Sequence, residues 1–182
     1  MTHDQLIQHL LTHSVKRGDF VLKSGKRSDW FIDAKQTTCR PDGMLLVAQA
    51  ALAEIPDEVN AVGGLTMGAD AMAFSLAGIA ATRGRSLRAF SVRKEVKGHG
   101  AGGRIAGALE PGDKVVITED AVTRGVSMLE AAQVVREVGA EVVLLMPVVD
   151  RGGTVTAMAA EQGIPVKALV TAPDLGFDFE SG

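Results

Sequence analysis

Apolar and polar positions along this chain follow two periods, and the switches between them outline its elements. Leu6, Ile7, Leu10, Leu11 and Val15 recur at helical spacing, a stripe expected to end near Gly18. Phe20-Val21-Leu22 and Trp30-Phe31-Ile32 then flank a polar, Gly-containing turn, which predicts an antiparallel pair outside the main sheet. Pro41-Asp42 opens a helix through Met44, Leu45, Val47, Ala48 and Leu52. Ala61 to Leu65 reads as a short buried strand, Thr66 to Asp70 as a turn of small residues, and an Ala-rich helix follows to about Thr82. Leu87 to Val92 is a further strand.

Pro111-Gly112-Asp113 punctuates the start of Val115-Val116-Ile117, a β-branched run expected to be a buried parallel strand that Glu119 and Asp120 close. From Ser127, the residues Met128, Leu129, Ala132, Val135 and Val138 predict a helix capped at Gly139. Glu141 to Val149 is a strand whose ladder should stop near Pro147. A helix over Val155 to Gln162, a strand at Val166 to Val170 and a polar tail complete the pattern. Such alternation predicts an α/β fold: a mostly parallel central sheet flanked by helices, with a small N-terminal hood over approximately residues 1–35.

Length and composition narrow the class. The 182 residues suit a single domain, and neither an internal repeat nor a linker divides them. A hydrophobic share of 46% with 21 glycines describes a folded α/β protein rather than a disordered one. The formal charge of −3 argues against nucleic acid as a partner. Cys39 is the one cysteine, so no intrachain disulfide can form. With neither a signal-like N-terminus nor a long apolar stretch, the expectation is a cytoplasmic protein that does not enter a membrane.

The densest chemistry lies between Glu119 and Ser127. Unpaired N–H groups at a helix start make an anion site, Thr123 and Ser127 add hydroxyls, and Gly125 admits a ligand close to the backbone. At the carboxyl edge of a strand, the two carboxylates suit ribose hydroxyls or a cation bridging ligand oxygens. An ordinary strand-to-helix turn with a solvated acidic pair has the same spacing. Between Arg93 and Arg104 stand four Lys/Arg, one His and four Gly, the composition of a cationic flap over a polyphosphate or of a solvated loop. Asp150-Arg151-Gly152-Gly153 reaches the same sheet edge. Gly25-Lys26 does not continue into a phosphate-loop pattern, and His9 with His13 reads as a solvated helix face rather than a metal pair.

The stretch from Val115 to Ser127 resembles the phosphoribosyl pyrophosphate (PRPP) signature of type I phosphoribosyltransferases: apolar residues, two acids, then a short Thr/Gly/Ser loop. Thr118, Ala121 and Arg124 depart from its commoner residues. A narrower resemblance is to orotate phosphoribosyltransferases. It rests on Leu22-Lys23-Ser24-Gly25 before an aromatic pair, on Arg93-Lys94-x-x-Lys97-x-His99-Gly100, and on Arg151. Two departures stand out: Ile32 replaces the second aromatic of the pair, and the turn after Gly63 lacks the lysine usual where the pyrophosphate is held.

The resemblance implies a type I phosphoribosyltransferase-like fold and transfer of the phosphoribosyl group from PRPP to orotate. It assigns PRPP binding to Lys23, Arg93, Lys94, Lys97, His99 and the run Glu119, Asp120, Ala121, Val122, Thr123, Arg124, Gly125, Val126 and Ser127. It assigns orotate binding to Phe31, Thr123 and Arg151, and catalysis to Lys97 and His99. Mg²⁺ would come with PRPP rather than on direct protein ligands. A homodimer is implied too, with the 93–104 loop reaching the neighbouring site. Transfer to another nucleobase (a purine or uracil) and a non-catalytic PRPP sensor remain as alternatives.

Overall fold

The computed structural model describes residues 2–21, 25, 27–96 and 103–180. Lys23, Lys97 and His99 therefore lie outside the described residues. Helix α1 (Thr2–His13) leads into an antiparallel pair, β1 (Val15–Val21) and β2 (Arg27–Ile32). The short α2 (Lys35–Thr38) and α3 (Pro41–Leu52) follow. Then come β3 (Ala61–Leu65), α4 (Asp70–Thr82), β4 (Arg88–Val92), β5 (Ile105–Gly107) and β6 (Lys114–Val122). The last elements are α5 (Val126–Glu137), β7 (Glu141–Asp150), α6 (Val155–Ala160), β8 (Val170–Thr171) and a 3₁₀ turn at Pro173–Leu175.

The main sheet has the order β5-β4-β3-β6-β7-β8. All its pairings are parallel except β4 with β5, so the expected mostly parallel sheet is present, and β1–β2 form the separate hood. The sequence of β6 explains the layering. Val115 and Ile117 point into a cluster with Phe90, Met128, Val135 and Val155, under α5 and α6. Val116 points the other way, among Leu6, Trp30, Val47, Met72 and Leu76, under α1, α3, α4 and the hood. A strand apolar at every position is what a sheet covered on both faces requires. Among the described residues no helix is long and apolar enough to cross a membrane.

Several boundaries differ from expectation, each for a local reason. Helix α1 stops at His13 rather than near Gly18: buried Ser14 bonds the Thr37 hydroxyl at 2.7 Å, and the chain turns there into β1. Gly18 is inside β1, where the ladder register shifts. Strand β6 does not end at the acidic pair but carries both acids within it. Nor does Pro147 stop the ladder. It stands opposite Glu119, its carbonyl accepts from Leu169 N at 3.0 Å, and pairing continues to Asp150, because proline removes only one donor. The Val166–Val170 run is a strand only at its end, with a single bridge at Val166. His9 is not on a solvated face. It is buried, with Nδ1 3.0 Å from the Thr37 hydroxyl and Nε2 3.3 Å from Asp42.

Candidate active site

The carboxyl ends of β3, β6 and β7 lie side by side, and their following loops converge. After β3, a cis Thr66–Met67 peptide begins the turn. Asp70 fixes it, accepting from the Thr66 hydroxyl and, across to β4, from the Ser91 hydroxyl, each at 2.6 Å. The turn lies directly on the acidic pair: a Cβ added to Gly68 would overlap Glu119 Oε1 and stand 2.7 Å from Asp120 Oδ1. Glycine is there because the carboxylates occupy the space.

Glu119 and Asp120 are both buried. Burial, then the neighbouring Asp120, pushes the Glu119 carboxyl up from 4.5 to about 8, while Ser127 and Lys35 pull the other way. Glu119 is thus biased toward its protonated form, which can donate as well as accept. Lys35, on α2, places Nζ 2.6 Å from Asp120 Oδ2. Burial works to lower the Lys35 pKa, but the Asp120 hydrogen bond and the nearby carboxylates together raise it. This lysine went unnoticed in the sequence, since its partner is 85 residues away and nothing in Ala34-Lys35-Gln36 sets it apart.

Beyond β6 the loop is formed by Thr123, Arg124 and Gly125, with Arg124 exposed. Gly125 has φ 89°, and a Cβ there would stand 2.7 Å from Val155 Cγ2, so both backbone sign and space demand glycine. Its turn aims the first N–H groups of α5 at the open edge beside Thr123 and Ser127. The β7 end is bound to this loop: Arg151 N donates to Val122 O at 2.8 Å and the Thr154 hydroxyl to Thr123 O at 2.9 Å. Asp150 accepts from Gly152 N and Gly153 N, holding Arg151 inward.

Arg151 is buried, with its guanidinium 4.7 Å over the Trp30 ring of the hood. Phe31 is 37% exposed on the opposite face of β2, beside Phe20, so the structure does not gather it with Arg151. Ile32 is buried in the core. Arg93 is tied to the stem of its loop, its N donating to Arg104 O at 2.7 Å and Nη1 to Ile105 O at 3.2 Å, and Lys94 is exposed. The described residues thus bring together the acidic pair, the 123–127 loop, the 66–70 turn, Lys35 and Arg151. The N-terminus of α5 stands beside the two buried acids, with a buried guanidinium at the end of the neighbouring strand.

Relatives match this chain over nearly its whole length. A curated orotate phosphoribosyltransferase of Synechocystis sp. is 40% identical over 94% of this chain and 87% of its own. The chain belongs to the orotate phosphoribosyltransferase family. A member from Aquifex aeolicus is 38% identical, the match covering 96% of this chain and 98% of the relative. Among solved structures of the family, that of Mycobacterium tuberculosis superposes with a TM-score of 0.85 at 32% identity, covering 97% of this chain and all of the other. The same bacterial enzyme in complex with PRPP matches with a TM-score of 0.80. An adenine phosphoribosyltransferase from Rhodothermus marinus, 18% identical with a TM-score of 0.60, shares the fold. No family model matches the sequence.

Proposed function

We propose that this chain transfers the 5-phosphoribosyl group of PRPP to orotate, giving orotidine 5′-phosphate and diphosphate in pyrimidine biosynthesis. The observation that carries the choice of base is Arg151: a guanidinium buried against Trp30, at the edge where the acidic pair and the phosphate cradle meet. An anionic base with carbonyl oxygens suits that fork, whereas a neutral purine has less to offer it.

In this reading the first N–H groups of α5, with Thr123 and Ser127, hold the 5′-phosphate. Glu119 and Asp120 take the ribose hydroxyls, one as a mixed donor and acceptor, the other under Lys35. Orotate is already an anion in water, so no general base is needed to make the nucleophile. As the C1–O bond to diphosphate breaks, positive charge grows on the ribose ring and negative charge on the departing group. Donors aimed at that group are therefore worth most in the transition state. Lys94 and, outside the described residues, Lys97 and His99 supply them, with Lys97 and His99 the catalytic pair, while Arg93 and Lys23 add to PRPP binding. The turn at 66–70 contains no lysine, so its contribution is backbone N–H groups. Mg²⁺ would come with PRPP, where it would supply charge screening for the diphosphate. With Glu119 biased toward its protonated form and Asp120 held by Lys35, the acidic pair offers a cation little, so its oxygen ligands would come from PRPP.

The same reading includes a homodimer in which the 93–104 loop, whose residues 97–102 lie outside the described residues, serves the neighbouring site of a cytoplasmic enzyme acting on small molecules. Purified protein incubated with magnesium, PRPP and orotate should consume orotate and release diphosphate. Parallel incubations with adenine, hypoxanthine and uracil test the base. Turnover of any of these in place of orotate would overturn the assignment.

A further inference from the structure

The last described residues return to the base site from outside the sheet. Phe177 stacks on Trp30, the ring centroids 4.3 Å apart and the planes 6° from parallel. Phe179 covers Gly153, where an added Cβ would stand 2.8 Å from the ring. Glu180 N donates to Arg151 O at 3.0 Å, so the strap is tied to the arginine's own backbone. The Glu180 carboxylate accepts from Arg151 Nη2 through one oxygen and from the Ser28 hydroxyl through the other.

Among the described residues the side-chain hydrogen bonds of Arg151 all use that one nitrogen: to Ser28 Oγ at 3.2 Å, to Trp30 O at 3.0 Å, and to Glu180. Nε, in contrast, is buried and without a hydrogen-bond partner among the described residues. Shielded in this way, Nε is out of a ligand's reach, so the nitrogen that the clamp leaves for a base oxygen is Nη1, which makes no hydrogen bond among the described residues. A guanidinium gripped at one nitrogen and stacked on an indole has its plane fixed, which a free arginine side chain does not.

We infer that Glu180 is a positioning residue for base recognition: it clamps Nη2 of Arg151 so that the rest of the fork is held ready for orotate. The inference rests on the orotate reading above. It makes specificity for the base depend on a residue at the far end of the chain, in a stretch whose sequence reads only as a polar tail.

The test compares wild type, Glu180→Ala and Glu180→Gln by KM for orotate, KM for PRPP, kcat and thermal midpoint. Glu180→Ala should raise the orotate KM about tenfold while the PRPP KM holds. Glu180→Gln keeps an acceptor oxygen in the same shape and should raise it less, and it carries the test should the alanine variant fold poorly. An orotate KM that stays level in both variants overturns the inference. A fall would also overturn it, since Glu180 would then be competing with orotate for the arginine. Equal rises for both substrates overturn it too, marking a general loosening. A folded wild type that consumes no orotate removes the base assignment, and this inference with it.

Discussion

Gly68→Ala separates the integrity of the fold from the integrity of the site. Gly68 is not among the positive-φ glycines, so alanine meets no backbone penalty there. The new Cβ would nonetheless stand 2.7 Å from Asp120 Oδ1 and 2.8 Å from Glu119 Cδ, and would overlap Glu119 Oε1. Ordinary contact needs roughly 3.5 Å, so the carboxylates must retreat by about 1 Å or more. They are side-chain ends, and an off-rotamer shift costs about 1 kcal/mol, which a folded domain tolerates. Catalysis is less forgiving, because a misplacement of about 1 Å costs on the order of 100-fold. Gly78→Ala is the control: nothing lies within 4 Å of its added Cβ, on the exposed side of α4, and alanine there should gain about 1 kcal/mol of helix stability. The assay is kcat/KM for PRPP at saturating orotate, with thermal midpoints in parallel. Gly68→Ala should keep a midpoint within a few degrees of wild type and lose about 100-fold in kcat/KM, while Gly78→Ala should be fully active. A Gly68→Ala enzyme with near-normal kcat/KM would refute the placement of the turn on a working acidic pair.

Three further outcomes follow from the same geometry. Lys35→Met should cost about 1 kcal/mol in urea unfolding at neutral pH, a small figure because the lysine side chain is 41% exposed. Folding raises the Lys35 pKa above 10.5, so its contribution is in place below that value and is lost only as pH climbs through the raised one, which a pH series of unfolding curves would show. The folded state binds a proton at Glu119 that the unfolded chain releases between 4.5 and about 8, so stability should fall as pH rises through that window. Glu119→Gln should flatten that decline, and an unchanged slope would relocate the titrating group. Lys97→Ala should lower kcat far more than it raises the KM for PRPP, as measured by steady-state kinetics, and an unchanged kcat would remove Lys97 from the catalytic role.

Strongly periodic segments are legible in the sequence, and so is the convergence of the acidic pair, the 123–127 loop and Arg151 at one edge of the sheet. The two apolar faces of β6, the helix after Gly125 and the alternation that yields a parallel sheet all follow from local pattern. Strand β5 did not, because Ile105-Ala106-Gly107 becomes a strand only by pairing with the edge of β4. His9 is buried rather than solvated, in line with Leu6 one turn before it and Leu10 next to it, both buried. Helical spacing pointed to that, and a polar residue type pointed away. Lys35 and Glu180 carried no local signal, since each matters through a partner brought near only by the tertiary fold. Phe177 and Phe179 were the clue that the tail returns to an apolar surface.

The contact between Ser28 and Glu180 spans 152 residues, and this has a consequence for the order in which a nascent chain matures. The central strands and α5 can settle while synthesis continues, but Trp30 and Arg151 acquire their last neighbours only after residue 180 clears the ribosome. A partly made chain would have the acidic pair and the start of α5 in place while Arg151 still lacked Glu180 and Trp30 still lacked Phe177. On the proposed reading, selectivity for the base would then ripen later than the grip on the ribose phosphate.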